Sequence, residues 1–218
     1  MNKIHAEGAS IVMLGQFNPA VFHPSWFAAN NLIRPEEAKL AEAVTVRNEI
    51  ATISKTWFDL QVVGERFSIQ TLDLRQYGPL RDVVIGVFNM MPHTPTTAIG
   101  LNKHFHVSIE SEEAWHKIGH RLAPKESWNP ILLDPGLRSM TMEGKRPEGT
   151  AGILRIKVEP SPVVAPGLFI EFNEEYRVTK EDEPGAGWAV KRIEQNWDDI
   201  LRFADLGARH ILELIREI

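Results

Sequence analysis

Residues 96–109 read TTAIGLNKHFHVSI. Along an extended chain, Ile99, Leu101, Phe105, Val107 and Ile109 share one face. Gly100, Asn102, His104, His106 and Ser108 share the other. A period of two belongs to a half-buried strand, because successive side chains point to opposite sides of a sheet. Lys103 is the one exception on the apolar face. The stretch predicts a long strand with one packed and one polar face, the pattern of an antiparallel sheet.

The flanks predict helices. Upstream, Leu80, Val83, Val84, Val87, Phe88 and Met91 repeat at helical spacing between Pro79 and Pro92, which predicts an amphipathic helix. Downstream, Ser111 is an N-cap with Glu112 and Glu113 in the first turn, and Pro124 ends the helix. Farther out, 10–14 (SIVML) reads as a buried strand and Asn18-Pro19 and His23-Pro24 as turns. Short helices are expected at 25–30, behind Pro24, and at 36–42, behind Pro35. Strands are expected at 50–57, 58–63, 67–72, 137–142 and 153–159. A further pair, 168–172 and 176–179, is expected around a turn at Asn173-Glu174-Glu175. From Trp188 a helical stripe runs to the end through Ile193, Trp197, Ile200, Leu201 and Ala204, continuing at Leu206, Ile211, Leu214, Ile215 and Ile218. Gly207 is a candidate break in it.

This order is not a regular β-α alternation. It predicts a single α+β domain over 1–218, with a mixed or mainly antiparallel sheet and packed helices. VGERFSIQT (63–71) and FNEEYRVTK (172–180) share a turn-aromatic-polar-β-branched pattern, each followed by a long amphipathic helix. That likeness suggests two ββα-like halves, 1–92 and 93–218.

Composition narrows the function classes. The chain has 218 residues, 43% hydrophobic and 24% charged, with a formal net charge of −5. Those proportions suit a folded domain rather than a disordered one. The acidic balance and the absence of a Lys/Arg run make nucleic acid an unlikely partner. There is no cysteine, so disulfides, thiolate metal sites and cysteine nucleophiles are excluded. The polar opening MNKIHAEG and the lack of an apolar run of about 18 residues point to the cytoplasm and away from membranes.

Five of the eight histidines lie between His93 and His120. His104 and His106 project from one strand face. His116 and His120, four apart, share a helix face. Were that helix to fold back over the polar strand face, four imidazoles would converge, with Glu110, Glu112 or Glu113 beside them. Neutral imidazole suits zinc, copper, nickel or iron, and a catalytic centre needs about three such ligands and an open position. The candidate metal ligands are therefore His104, His106, His116 and His120, for a divalent transition metal. Against this, Lys117 stands where a zinc-protease helix carries glutamate, and the link Glu110-Ser111 is short. The plainer reading is a set of surface or hydrogen-bonded histidines. The aromatic cluster Phe17, Phe22, Trp26 and Phe27 and the other tryptophans read mainly as core, with any exposed remainder marking a protein interface.

Gly15-Gln16-Phe17-Asn18-Pro19 resembles the opening of the nucleotidylyltransferase signature, which would imply a nucleotide binder. The two histidines of that signature fall on Val21 and Pro24, and His23 is one residue out of register. The plainer reading is a strand followed by an Asn-Pro turn. The blocks LGQFNPAVFHPSWF (14–27) and HTPTTAIGLN (93–102) resemble those of uncharacterised bacterial proteins, and that resemblance implies no activity. No phosphate loop, dinucleotide fingerprint, serine elbow or calcium loop is present. No catalytic residue is assigned. The leading expectation is a non-catalytic bacterial protein that binds a protein partner or self-associates, probed through its aromatics and its C-terminal amphipathic stripe. A metal-dependent enzyme and a degenerate nucleotide binder are the alternatives.

Overall fold

The computed structural model describes residues 3–39 and 43–216. The alternating stretch Thr96–Ser108 forms strand β6, near the centre of a nine-stranded sheet. The other strands are β1 (Lys3–Gly15), β2 (Ala43–Val46), β3 (Ile50–Ser54), β4 (Asp59–Val63), β5 (Arg66–Thr71), β7 (Met140–Gly144), β8 (Ile153–Pro160) and β9 (Gly167–Arg177). Their spatial order is β2-β3-β4-β5-β1-β6-β9-β8-β7, and every pairing is antiparallel. Among the described residues the α-helices are α1 (Pro24–Ala29), α2 (Pro35–Lys39), α3 (Tyr77–Met90), α4 (Glu112–Leu122) and α5 (Gly187–Arg216). The protein is thus an α+β fold with a large antiparallel sheet and packed helices. No helix among the described residues is long and apolar enough to cross a membrane.

One face of the sheet carries the core. Ile11 and Met13 of β1, Phe67 and Ile69 of β5, Leu101 and Phe105 of β6 and Ile170 and Phe172 of β9 are buried there. Helices α3 and α5 pack against them. Two indoles pin α5: Trp188 Nε1 donates to the Thr96 carbonyl at 3.1 Å, and Trp197 Nε1 donates to that of Tyr77 at 3.1 Å. The Lys103 anomaly has a partner in the same layer. Its ammonium, 3% exposed, lies 2.6 Å from Asp205 on α5 and 3.1 Å from Glu7 on β1. A lysine is tolerated on a packed face because carboxylates from both neighbours meet it.

Several expectations are corrected. The turn expected at Asn173-Glu174-Glu175 does not exist, because β9 runs unbroken through it. Glu174 points into the core, where Arg146 grips it with two hydrogen bonds of 3.1 and 2.6 Å. The likeness of 63–71 to 172–180 therefore matches a hairpin turn with the middle of a strand. Gly207 does not break α5. A Cβ there would stand 2.5 Å from the Phe172 ring, so glycine lets the helix approach β9. Strand 10–14 is longer than expected, 137–142 is shifted to 140–144, and β2 was not foreseen. Part of the helix expected at 36–42, residues 40–42, lies outside the described residues, as does Ile218 of the C-terminal stripe. The stripe from Trp188 to Ala204 belongs chiefly to the chain's own core, where Trp188, Ile193, Trp197, Ile200 and Ala204 are buried. That part of the stripe offers no partner surface, whereas Leu206 beyond it is 64% exposed.

Candidate functional site

Two surfaces remain once the core is accounted for. The first is built by α4 and the chain that follows it. Ser111 Oγ accepts from the Ala114 amide at 3.1 Å and starts the helix as a cap. Trp115 Nε1 donates to the Gly167 carbonyl at 3.0 Å, and Ile118 is buried, so the helix is held at the end of β9. Between α4, the segment that follows it and the β8–β9 end lies a cavity of about 710 Å³. Trp115, Ile118, Leu122, Leu137, Val158 and Leu168 give it an apolar lining.

Next to this cavity the chain reads Trp128-Asn129-Pro130-Ile131-Leu132-Leu133. Trp128 is 49% exposed, Ile131 72%, Leu132 52% and Leu133 94%. Scattered surface leucines are ordinary. Four large apolar side chains within six residues are not, because a water-facing segment gains nothing from them. Lys125 and Asp134 also line the cavity, and neither has an ion-pair partner among the described residues.

The second surface is the other face of the sheet, which no helix covers among the described residues. Row by row across the strands, the register aligns Asn173, Asn102, Ser10 and Gln70, and beside them Glu171, His104 and Gly8. Asn102 Nδ2 donates to Ser10 Oγ at 3.0 Å, and Asn173 Nδ2 donates to Asn102 Oδ1. Two glycines make the dent. A Cβ on Gly100 would stand 2.7 Å from Asn173 Nδ2, and one on Gly8 would stand 2.7 Å from His104 Cε1. The resulting cavity is about 580 Å³.

One end of this second cavity is aromatic. The His104 and His106 rings are 5.9 Å apart, and Phe169 lies 5.6 Å from the first and 5.0 Å from the second. His106 Nδ1 and Ser161 Oγ share a hydrogen bond of 2.9 Å, which ties the segment carrying Pro162 and Val163 to the cavity's end. Burial, assisted by His106, pushes the His104 imidazole down to about 4. Burial likewise lowers His106, with His5 adding to the effect. Both rings are then neutral near pH 7.

The four candidate metal ligands are not brought together. His104 and His106 line the cavity on the open sheet face. His116 and His120 line the α4 cavity, where His120 Nε2 is 3.1 Å from Glu126. The link after β6 carries α4 to the end of β9 rather than over the polar face. No group of three or more His, Asp or Glu side chains stands at metal-binding spacing among the described residues. At the turn after β1, Asn18 caps a single 3-10 turn by accepting from the Ala20 amide at 3.1 Å. The Gly15, Gln16 and Phe17 amides are taken by the carbonyls of Glu65, Pro95 and Gly64. Those amides are therefore occupied rather than turned toward a phosphate.

Of the exposed segment 128–133, only Trp128 stands out in the sequence, as one of six tryptophans. A signal was there: an apolar run between Pro130 and Pro135 with neither helical nor strand period. Comparison with protein-family models and with curated proteins returns no match.

Proposed function

We propose that the chain is a bacterial binding protein that associates with a second copy of itself through residues 115–139. The carrying observation is the run of exposed apolar side chains, Trp128 and Ile131–Leu133, beside an apolar cavity of about 710 Å³. One surface thus holds both a protrusion and a recess, the requirement for a two-fold pair in which each copy fills the other. The charges fit the same arrangement: the free Lys125 of one copy would meet the free Asp134 of the next.

Magnitudes favour a symmetric pair. Weighted by exposure, the segment offers the burial of roughly two to three whole side chains, about 4–8 kcal/mol per copy. Association costs about 4–15 kcal/mol in lost freedom. A one-sided contact falls short over most of that range, whereas a pair gains twice the burial for one such cost.

Light scattering on wild-type protein and on the Ile131→Asp/Leu133→Asp variant tests this. Both side chains face water, so the variant keeps the monomer fold. The wild type is expected to run as a dimer at ~100 µM and the variant as a monomer. A monomeric wild type at that concentration, or a variant that still dimerises, overturns the proposal.

A further inference from the structure

Glu171 stands in the middle of the aromatic end of the open-face cavity, paired in register with His104 on one side and Lys157 on the other. Its side chain makes no hydrogen bond or ion pair among the described residues. The lysine beside it turns instead to Glu159, at 2.8 Å, with its ammonium 5.8 Å from the centre of the Phe169 ring. Arg155 and Arg177 are both engaged by Glu175, at 2.7 and 2.6 Å. With His104 and His106 neutral, Lys157 is taken by Glu159, and no cation is paired directly with Glu171 among the described residues. Burial pushes the Glu171 carboxyl above its ordinary value, Lys157 opposes that and Glu159 adds to it. A partly buried carboxylate without a direct ion-pair partner gains from a cation brought to it.

The walls say what kind of cation. Phe169 and the two imidazoles present ring faces and edges, and Pro162 and Val163 add apolar surface. Ring faces attract organic cations, most strongly when water is displaced. A metal ion is not suited, since one carboxylate and phenyl surface do not make a coordination shell. We propose that this end of the cavity binds an organic monocation, an alkyl- or arylammonium, with the ammonium on Glu171 and its apolar part against Phe169 and His104. Asn102, Asn173, Ser68 and Gln70 lie farther along the same cavity and would take hydrogen-bonding groups on a longer ligand. This site lies on the other side of the sheet from the α4 cavity and does not depend on self-association.

The test uses the full chain and three probes of one shape: 2-phenylethylammonium, phenylacetate and 2-phenylethanol. Amide and imidazole chemical shifts are followed by NMR on wild type and on Glu171→Gln. The ammonium is expected to bind with a Kd of about 1 mM or tighter, shifting His104 and Phe169. The Glu171→Gln variant, checked for an unchanged spectrum elsewhere, is expected to bind at least tenfold more weakly. The anion and the alcohol are expected to bind at least tenfold more weakly than the ammonium to wild type. Equal binding of all three, shifts that leave His104 and Phe169 unmoved, or no ammonium binding to wild type by about 10 mM overturns the proposal. The wild-type comparison stands even if the variant does not fold.

Discussion

Arg146→Met is the most informative single perturbation of the fold. The guanidinium is 1% exposed and the Glu174 side chain it grips is fully buried. It also holds Asp199 on α5 at 2.5 Å and lies 5.2 Å from the Phe203 ring centre. Removing it leaves Glu174 in the core with one hydrogen bond, from Thr150 Oγ1 at 2.7 Å. Breaking a buried pair in this way costs about 3–5 kcal/mol, because the remaining charge has lost both water and partner. For a chain of this length that is a fall in Tm of roughly 6–20 °C. The double variant Arg146→Met/Glu174→Leu removes the stranded charge as well. It is expected to recover most of the loss, since an ion pair replaced whole by apolar side chains is often neutral. Urea unfolding of the wild type, both single variants and the double gives the coupling directly. A loss under about 1 kcal/mol for Arg146→Met, or a double variant no better than the single, would mean that Glu174 does not depend on Arg146 in the core.

Other outcomes follow from the same geometry. His104 in the folded protein titrates near 4, below the ~6.5 of an unfolded chain. The unfolded state therefore binds more protons between those values, and stability falls as pH drops from about 6.5 to 4, by at most about 3 kcal/mol from this group. An NMR titration that finds His104 protonating near 6.5 removes that contribution. Gly15→Ala places a Cβ 2.0 Å from the Pro95 carbonyl oxygen. A backbone atom cannot swing aside, so the change is expected to cost about 1–3 kcal/mol or more. Gly187→Ala, at the start of α5 with no other part of the fold within 4 Å of the added Cβ, is expected to stabilise by about 0.5–1 kcal/mol in thermal unfolding. Equal effects of the two alanines would contradict the packing described around β1.

The elements legible in the sequence were those whose causes are local. Strand β6, the hairpin of β4 and β5, α3 and the capped start of α4 follow from period, turn residues and caps within a few positions. What was misread depends on partners far along the chain. Glu174 looks like a turn residue until Arg146, itself held by Asp199 on α5, meets it in the core. Gly207 looks like a helix break until Phe172 is packed against it. The polar face of β6 was legible, including His104 and His106, but its glycine floor needs β1 beside it. Convergence of His116 and His120 with that face failed because the direction of α4 is set by Trp115 and Ile118, not by the histidines. The apolar run 128–133 could be read as core or as surface, and only its exposure decides.

In the proposed dimer two copies exchange that run. Isotope-filtered NOEs in a mixture of ¹³C-labelled and unlabelled protein read it most directly. Intermolecular contacts are expected from the Ile131 and Leu133 methyl groups to Ile118, Leu122 and Trp115. A sample of dimeric mass whose intermolecular contacts arise elsewhere, or a monomer with none, would contradict it.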